Sequence, residues 1–582
     1  MLGNKSVFAG LPLLLGGCLH AQQPDLSITL NQAGFYPHAP KIAVVTQPVK
    51  GDSFYITPSH SQQIVFRGRL GKATRSVHSS TTTRIADFSA FTTPGDFVVV
   101  VPGAGQSPVF PVNAGVYHPV AVAALKGYYY QRSNIPLEAR FAGQWHRPAG
   151  HPDTAVLVHP GAASATRPAG TVIATPGGWY DAGDYNKYIV NSGITMGTLL
   201  SAYEDFPGYF KQLNTNIPES GDALPDILNE AVYNLQWMLT MQDPADGGVY
   251  NKCTNADFDG MVMPGVTKAP RYVVQKGTAA TLDFAAVTAQ AARILQPFNP
   301  ALATQCREAA GKAWQWALQH PALRYDQDSL NKVYQPAITT GGYGDRYFAD
   351  EWLWAASELY ITTRDPQFFS VVEKHIGDPV SLPSWANVGM LGYYSLLRAK
   401  DLPASTATVI QQMKERVLAL ANQYVMAANT SAFHTVMGQS PGDFIWGSSS
   451  VAANQGIVLL NAYRLTRDRR YAYAALGNLD YLLGRNATTY CFVTGIGSKS
   501  PLHPHHRLSI ADGITAPVPG LLVGGPNPGR QDKSTYEFTE PETAYTDKAG
   551  AYASNEIAIN WNAPLVYLVS GIDALKEEVG YL

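Results

Sequence analysis

Two carboxylates three residues apart, Asp181 and Asp184, lie in the run GGWYDAGDYNKY at residues 177–188. Gly183 between them gives the backbone freedom to turn sharply and aim both side chains into one space. Trp179, Tyr180, Tyr185 and Tyr188 supply flat, polar-tipped rings of the kind on which a pyranose stacks. Paired acids beside such rings suit general acid and base work on a sugar acetal. The same Asp-x-x-Asp spacing also occurs in ordinary solvated turns and helix starts, and only the flanking aromatics weigh against that reading. A calcium loop of the EF-hand type does not fit, because Gly183 and Ser192 stand where a third-position ligand and the closing Glu are required.

Two further constellations carry chemistry. Ala553-Ser-Asn-Glu-Ile557 places Glu556 at the expected start of an apolar helix running through Trp561, Leu565 and Leu568. An acid there is favoured by the helix dipole without any catalytic purpose, and the dipole lowers its pKa. A general-acid role for Glu556 therefore requires burial or a neighbouring carboxylate. Tyr552 joins Trp179 and Tyr180 among the rings expected to meet substrate. The run LHPHHR at 502–507 holds three histidines in four positions. It could bind zinc, although Pro504 and Arg507 argue against that; alternatively His505 and Arg507 alternate onto one face and donate to hydroxyl groups, leaving His503 and His506 structural.

These residues need a large scaffold, and 582 residues at 46% hydrophobic content can bury more than one core. A net charge of −2 gives no basis for attracting nucleic acid or an anionic membrane surface. Lys5, the apolar stretch Val7–Leu15 and the small residues before Cys18 look like a lipoprotein signal over 1–18. That reading expects export to a bacterial cell envelope and a lipid anchor on Cys18; the plainer reading is an ordinary cleaved signal. Cys253, Cys306 and Cys491 suggest neither a disulfide framework nor a CxxC metal site. Residues 25–113 alternate with period two in short runs at 42–45, 54–56, 64–67, 81–88 and 97–101, a pattern that fits an immunoglobulin-like β-sandwich without a disulfide. From 116 to 578 the period changes to about 3.6, with helices expected at 116–130, 194–205, 224–241, 281–295, 301–318, 347–362, 385–398, 407–427, 450–465, 471–483 and 556–570. Helices in pairs, with long Gly/Pro-rich loops at 248–270 and 498–535, suggest a toroid of helical hairpins with a cleft on one face.

Several blocks in order then resemble glycoside hydrolase family 9: LNQAGF from Leu30, GGWYDAGDYNKY, LPDILNE from Leu224, Asp350-Glu-Trp352, FVTG from Phe492, PHHR at 504–507 and SNEIAINWNAPL from Ser554. The resemblance implies a small all-β immunoglobulin-like sandwich followed by an all-α (α/α)6 barrel. It implies that Asp184 is the general base acting on water, that Asp181 helps hold that water and that Glu556 is the general acid. It also implies that His505 and Arg507 bind the sugar beside the scissile bond. The expected enzyme is an inverting endo-β-1,4-glucanase acting on a β-1,4-linked glucan or oligosaccharide, as a monomer. Exo-acting cellodextrinase, β-glucosidase or glucosaminidase action, and a catalytically silent carbohydrate-binding scaffold, are the alternatives. No cofactor is required for the chemistry. Zinc is not expected, because Gln131-Arg-Ser133 and Gly150-His151 lack the two thiolates of the family's zinc motif. Structural calcium is left open, without assigned ligands.

Overall fold

The computed structural model describes residues 27–582, so the signal-type segment 1–18 with Cys18 lies outside the described residues. Nine short strands follow: β1 Ile28–Thr29, β2 Ile42–Val45, β3 Ser53–Pro58, β4 Phe66–Arg69, β5 Thr74–Arg75, β6 Thr82–Asp87, β7 Gly95–Val101, β8 Gly105–Gln106 and β9 Phe110–Val112. One sheet has the order β1-β2-β6-β5; the other runs β4-β3-β7-β8, with β9 also on β7. Alternation sets the register: in β3 the side chains of Phe54 and Ile56 point inward, and Tyr55 stands opposite Val100 of β7. Phe35, Phe54, Phe88, Phe97 and Phe110 fill the space between the sheets, with Phe35 meeting Phe88 edge-on at 5.3 Å.

The LNQAGF block does not simply belong to the sandwich. Asn31 donates to Tyr117 Oη and Asp480 Oδ1, both in the second domain. Gln32 accepts the backbone N–H groups of Ser498 and Lys499, and donates to the carbonyl of Thr489. The start of the sandwich is thus hydrogen-bonded into the larger body.

That body contains twelve main helices: α1 His118–Gln131, α2 Ile189–Asp205, α3 Asp226–Thr240, α4 Thr278–Leu295, α5 Pro300–Gln319, α6 Ala349–Thr363, α7 Pro366–His375, α8 Gly389–Arg398, α9 Ala407–Ala428, α10 Ser448–Thr466, α11 Arg469–Leu482 and α12 Ile559–Val579. The even-numbered members form an inner ring and the odd-numbered members an outer one, the (α/α)6 arrangement. Burial shows the division. In α4 only Arg293 escapes burial, as expected of a helix enclosed on all sides. In α9 a single stripe, Val409, Met413, Val417, Ala421 and Tyr424, is buried. Among the described residues, no helix is long and apolar enough to cross a membrane.

Three differences from the sequence pattern bear on the site. The 248–270 segment is not purely a loop: Lys252–Asn255 is a strand, β13, of a small sheet ordered β11-β10-β14-β13-β12, in which β10 is Val156–Val158, β11 Val172–Ile173, β12 Lys187–Tyr188 and β14 Arg271–Val273. Helix α7 is additional to the helices expected from the sequence: its buried Phe368, Phe369 and Val372 keep helical spacing, but over ten residues they make only a short stripe. Glu556 does not begin the last helix. It lies in extended backbone (φ −73°, ψ 154°) after the short turn Tyr552–Asn555 and ahead of α12.

Candidate active site

The GGWYDAGDYNKY run crosses the barrel mouth and ends as strand β12, in which Lys187 pairs with Cys253 and Tyr188 with Lys252 of β13. Gly177 and Gly178 adopt left-handed φ values of 77° and 81°, and a Cβ on Gly178 would lie 2.7 Å from Trp237. Gly183 is different. Its φ is not left-handed, so glycine is not required there for a sharp turn. Space is what requires it: a Cβ would lie 2.3 Å from the carbonyl oxygen of His505, 2.8 Å from its Cδ2 and 3.2 Å from Glu556 Oε1.

Gly183 is thus the point where three chain segments meet. Its N–H donates to Glu556 Oε1 at 3.4 Å, and its carbonyl accepts from Arg507 Nη1 at 2.7 Å. His505 and Glu556 pair as parallel backbone, with the His505 N–H donating to the Asn555 carbonyl. On the other side Gly524 N–H donates to the Glu556 carbonyl, and Ile559 N–H donates to the Asp181 carbonyl. Asp181, Asp184, Glu556, His505 and Arg507 are thereby gathered from three distant stretches of sequence into one site.

The two aspartates are held differently. Asp184 Oδ2 accepts from Asn186 Nδ2 at 2.6 Å, from Asn186 N–H at 3.3 Å and from Tyr188 Oη at 3.0 Å. Its Oδ1 takes no hydrogen bond from the described residues. Asp181 is satisfied at both oxygens, by Asn191 Nδ2 at 2.6 Å and Tyr343 Oη at 2.9 Å. Burial, and then the neighbouring Asp184, push the Asp181 carboxyl up to about 8. Glu556 is held well above the usual carboxylate range by burial and by Asp184 and Asp181, with the Gly183 N–H and Arg507 opposing. Burial and the two aspartates prevail over any depression from the helix that begins three residues later, at Ile559. Burial also lowers the His505 pKa, which favours neutral imidazole; its Nδ1 lies 2.6 Å from the Ala549 carbonyl.

Beneath this layer Asn186 Oδ1 accepts from Asn255 N–H and Arg271 Nη1. Arg271 and Lys187 converge on buried Asp153 at 2.8 and 2.7 Å. Such a closed set of buried charges fixes the loop from below.

The aromatic expectation needs correction. Trp179 and Tyr180 are both 0% exposed, so neither can stack on a sugar. Trp179 donates to Glu230, and Tyr180 Oη meets His151 Nδ1 at 2.9 Å. Tyr185 and Tyr188 are buried as well. The accessible rings lie elsewhere. Tyr552 is half-buried, with its ring 5.7 Å from His505 and 5.4 Å from exposed Trp446. Exposed Phe258 lies 5.6 Å from the Arg507 guanidinium, and Tyr343 packs against Trp385. Tyr343, Asn186 and Asn191 were not singled out by their sequence context. Tyr343 sits in a glycine-rich stretch with φ 46°, and its strain is a signal that only coordinates reveal.

His506 is buried between Gln131 and Ser509, and burial pushes it down to about 3, which makes it structural. Among the described residues, no three His, Cys, Asp or Glu side chains are grouped to hold a metal. At the family's zinc motif, Ser133 Oγ donates to the Gly177 carbonyl, and a Cβ at Gly150 would fall 2.6 Å from Pro264.

Against this geometry, the sequence profile of Glycosyl hydrolase family 9 matches residues 117–569. The chain belongs to glycosyl hydrolase family 9. The profile described as the cellulase N-terminal ig-like domain matches residues 23–106. A xyloglucan-specific endo-beta-1,4-glucanase of Bacteroides ovatus is 47% identical over 557 residues, 95% of this chain and 94% of the relative. Endoglucanase D of Acetivibrio thermocellus is 33% identical, covering 96% of this chain and 82% of the relative. A solved Bacteroides ovatus family 9 structure superposes with TM-score 0.90 at 46% identity, covering 95% of this chain and 100% of that one. A metagenome-derived family 9 endoglucanase superposes with TM-score 0.86 at 34% identity, covering 94% and 99%. This family 9 chain is therefore a glycoside hydrolase of the endoglucanase type, and β-1,4-glucan hydrolysis is its reaction class.

Proposed function

We propose that the enzyme is an inverting endo-β-1,4-glucanase that cuts soluble glucan chains, xyloglucan among them, in a single displacement. The observation that carries this reading is the unequal treatment of the carboxyls. Asp184 keeps Oδ1 free of protein donors and is the group suited to take a proton from water. Asp181, fixed by Asn191 and Tyr343, helps to hold that water. Glu556 retains its proton and can deliver it to the leaving oxygen. In the step, water attacks the anomeric carbon as the glycosidic C–O bond breaks; its proton passes to Asp184 while Glu556 loses one, and exchange with solvent resets both. His505 and Arg507 line the neighbouring sugar position, with Tyr552, Trp446 and Phe258 as accessible rings.

The xyloglucan preference is supported by the 47% identical relative whose name carries that specificity. No step uses a metal. Serine in place of one thiolate, and the absence of room for a Cβ at Gly150, do not fit zinc, so zinc analysis of the purified protein is expected to find less than one equivalent. The segment 1–18 supports export with a lipid on Cys18, for which mass spectrometry of the mature amino terminus is the check. The functional test is a time course on xyloglucan, carboxymethyl cellulose and cellohexaose with the product anomer followed by NMR. Viscosity should fall well ahead of reducing-end release, and the first product should be the α-anomer. Asp184→Asn or Glu556→Gln with near-normal turnover would sink the assignment of roles.

A further inference from the structure

A cavity of about 960 Å³ opens along the seam between the sandwich and the barrel. None of Asp181, Asp184, Glu556, His505 or Arg507 lines it. Its size lies at the upper end of the range for small-ligand sites. The charges on its wall balance, Arg84 and Lys499 against Glu537 and Asp547, so it has no net field to select a polyion. Most of those charges are also occupied by the protein. Arg84 donates to the carbonyls of Gly71, Gly51 and Leu70. Lys499 donates to the Thr488 carbonyl and caps the Tyr490 ring at 4.2 Å. Asp547 accepts from the N–H groups of Leu502 and His503 and from Asn555 Nδ2.

Apart from the Glu537 carboxylate, uncharged groups are what remain for a ligand. The side chains of Gln47, Thr82 and Thr546 line the cavity, and none of them makes a hydrogen bond within the described residues. Beside them the Phe538 ring is 55% exposed. It is carried on a loop that is firmly held: Tyr536 Oη is bonded to Asp532 and Ser554, Glu540 accepts from Ser80 N–H and Oγ, and Glu542 accepts from Ser79 Oγ. A flat apolar ring on a fixed loop, flanked by neutral amide and hydroxyl groups, matches a sugar's apolar face and its equatorial hydroxyls.

We propose that this seam is a second carbohydrate-binding site, which takes a neutral β-glucan segment outside the catalytic cleft; the choice of ligand rests on the glucan reading of that cleft. The sandwich then contributes one wall of a binding site as well as a packing surface. Asp547 is common to both places, since it also fixes the 502–505 segment and Asn555 next to Glu556. The seam strengthens attachment to polymer while leaving turnover of short oligosaccharides unchanged.

The test is affinity electrophoresis through gels containing dissolved xyloglucan or hydroxyethylcellulose, with the inactive Glu556→Gln protein as parent. Adding Phe538→Ala should weaken retardation roughly 3- to 10-fold, the value of one aromatic stack. Thr82→Trp, which fills the cavity from an exposed strand position, should do the same. In the active background Phe538→Ala should hydrolyse cellohexaose at the normal rate. If the active enzyme cleaves glucan but neither substitution changes retardation, the seam site is overturned and the catalytic reading stands. If the enzyme neither cleaves glucan nor is retarded by it, both fall.

Discussion

Gly183→Ala tests whether the site depends on three segments meeting at one glycine. The added methyl would lie 2.3 Å from the His505 carbonyl oxygen, where roughly 3.3 Å is the nearest ordinary approach of carbon to such an oxygen. About 1 Å must therefore be opened between the loop bearing Asp181 and Asp184 and the strand pair bearing His505 and Glu556. The obstacle is backbone tied to Asn555, so a side-chain rotation cannot relieve it. A misplacement of about 1 Å between reacting groups costs roughly 100-fold in rate, whereas overpacking by one methyl costs about 1–3 kcal/mol of stability. Initial rates on carboxymethyl cellulose and on cellohexaose, with urea unfolding in parallel, separate the two effects. The expected result is kcat down about 100-fold, KM changed little, and a folded protein. Gly311→Ala, on α5 with nothing within 4 Å of its Cβ, is the matched control, with normal activity and a gain of up to about 1 kcal/mol. A Gly183→Ala enzyme within threefold of the parent kcat would refute the reasoning.

Three other outcomes follow from the same geometry. The Glu556 carboxyl keeps its proton above the ordinary value of 4.5 in the folded chain, so folded protein binds more protons than unfolded and stability falls as pH rises past that value. Glu556→Gln removes the penalty: its Tm advantage over the parent should be small at pH 4.5 and grow toward pH 8, and a difference constant with pH counts against the assignment. Asp153 behaves oppositely. Burial alone would raise its pKa, but the Arg271 and Lys187 charges prevail and hold it well below the carboxylate range, so its contribution is present above pH 3.8 and lost on acidification through the lowered value. Asp153→Asn should cost about 3–5 kcal/mol in urea at pH 7 by stranding two buried cations, and a cost below 1 kcal/mol would show that the charges find other partners. Tyr343→Phe removes the donor to Asp181 Oδ2 and should lower kcat roughly 5- to 100-fold with KM nearly unchanged; a pure KM effect would instead make Tyr343 a substrate contact.

The candidate acids could be named from the sequence, Asp181 and Asp184 because they share one short motif with aromatic neighbours, and Glu556 through the resemblance to family 9. The helices were legible wherever a hydrophobic stripe ran long enough, as on α9. Exposure was not. Nothing in the letters around Trp179 and Tyr180 distinguishes a ring packed on Tyr128 or His151 from a ring facing a cleft. The support of each acid was hidden for a related reason: Asn191 and Tyr343 reach Asp181 from 10 and 162 positions away, and such meetings are made by tertiary packing. The backbone of Glu556 was misread because Ser-Asn-Glu before an apolar run has the composition of a helix start, while pairing with His505 keeps this segment extended.

The hydrogen bonds of Asn31 and Gln32 into the barrel have a consequence for how such a gene can be cut and recombined. Asp480, which burial pushes up to about 6, has Asn31 and Arg485 as partners, and the turn at 497–499 closes on Gln32. A fragment beginning at residue 114 would keep every catalytic side chain, yet it would uncover that carboxylate and release the turn. In this chain the sandwich and the barrel are therefore tied into one folding unit, and a recombination breakpoint near residue 114 is expected to lower the stability of the barrel.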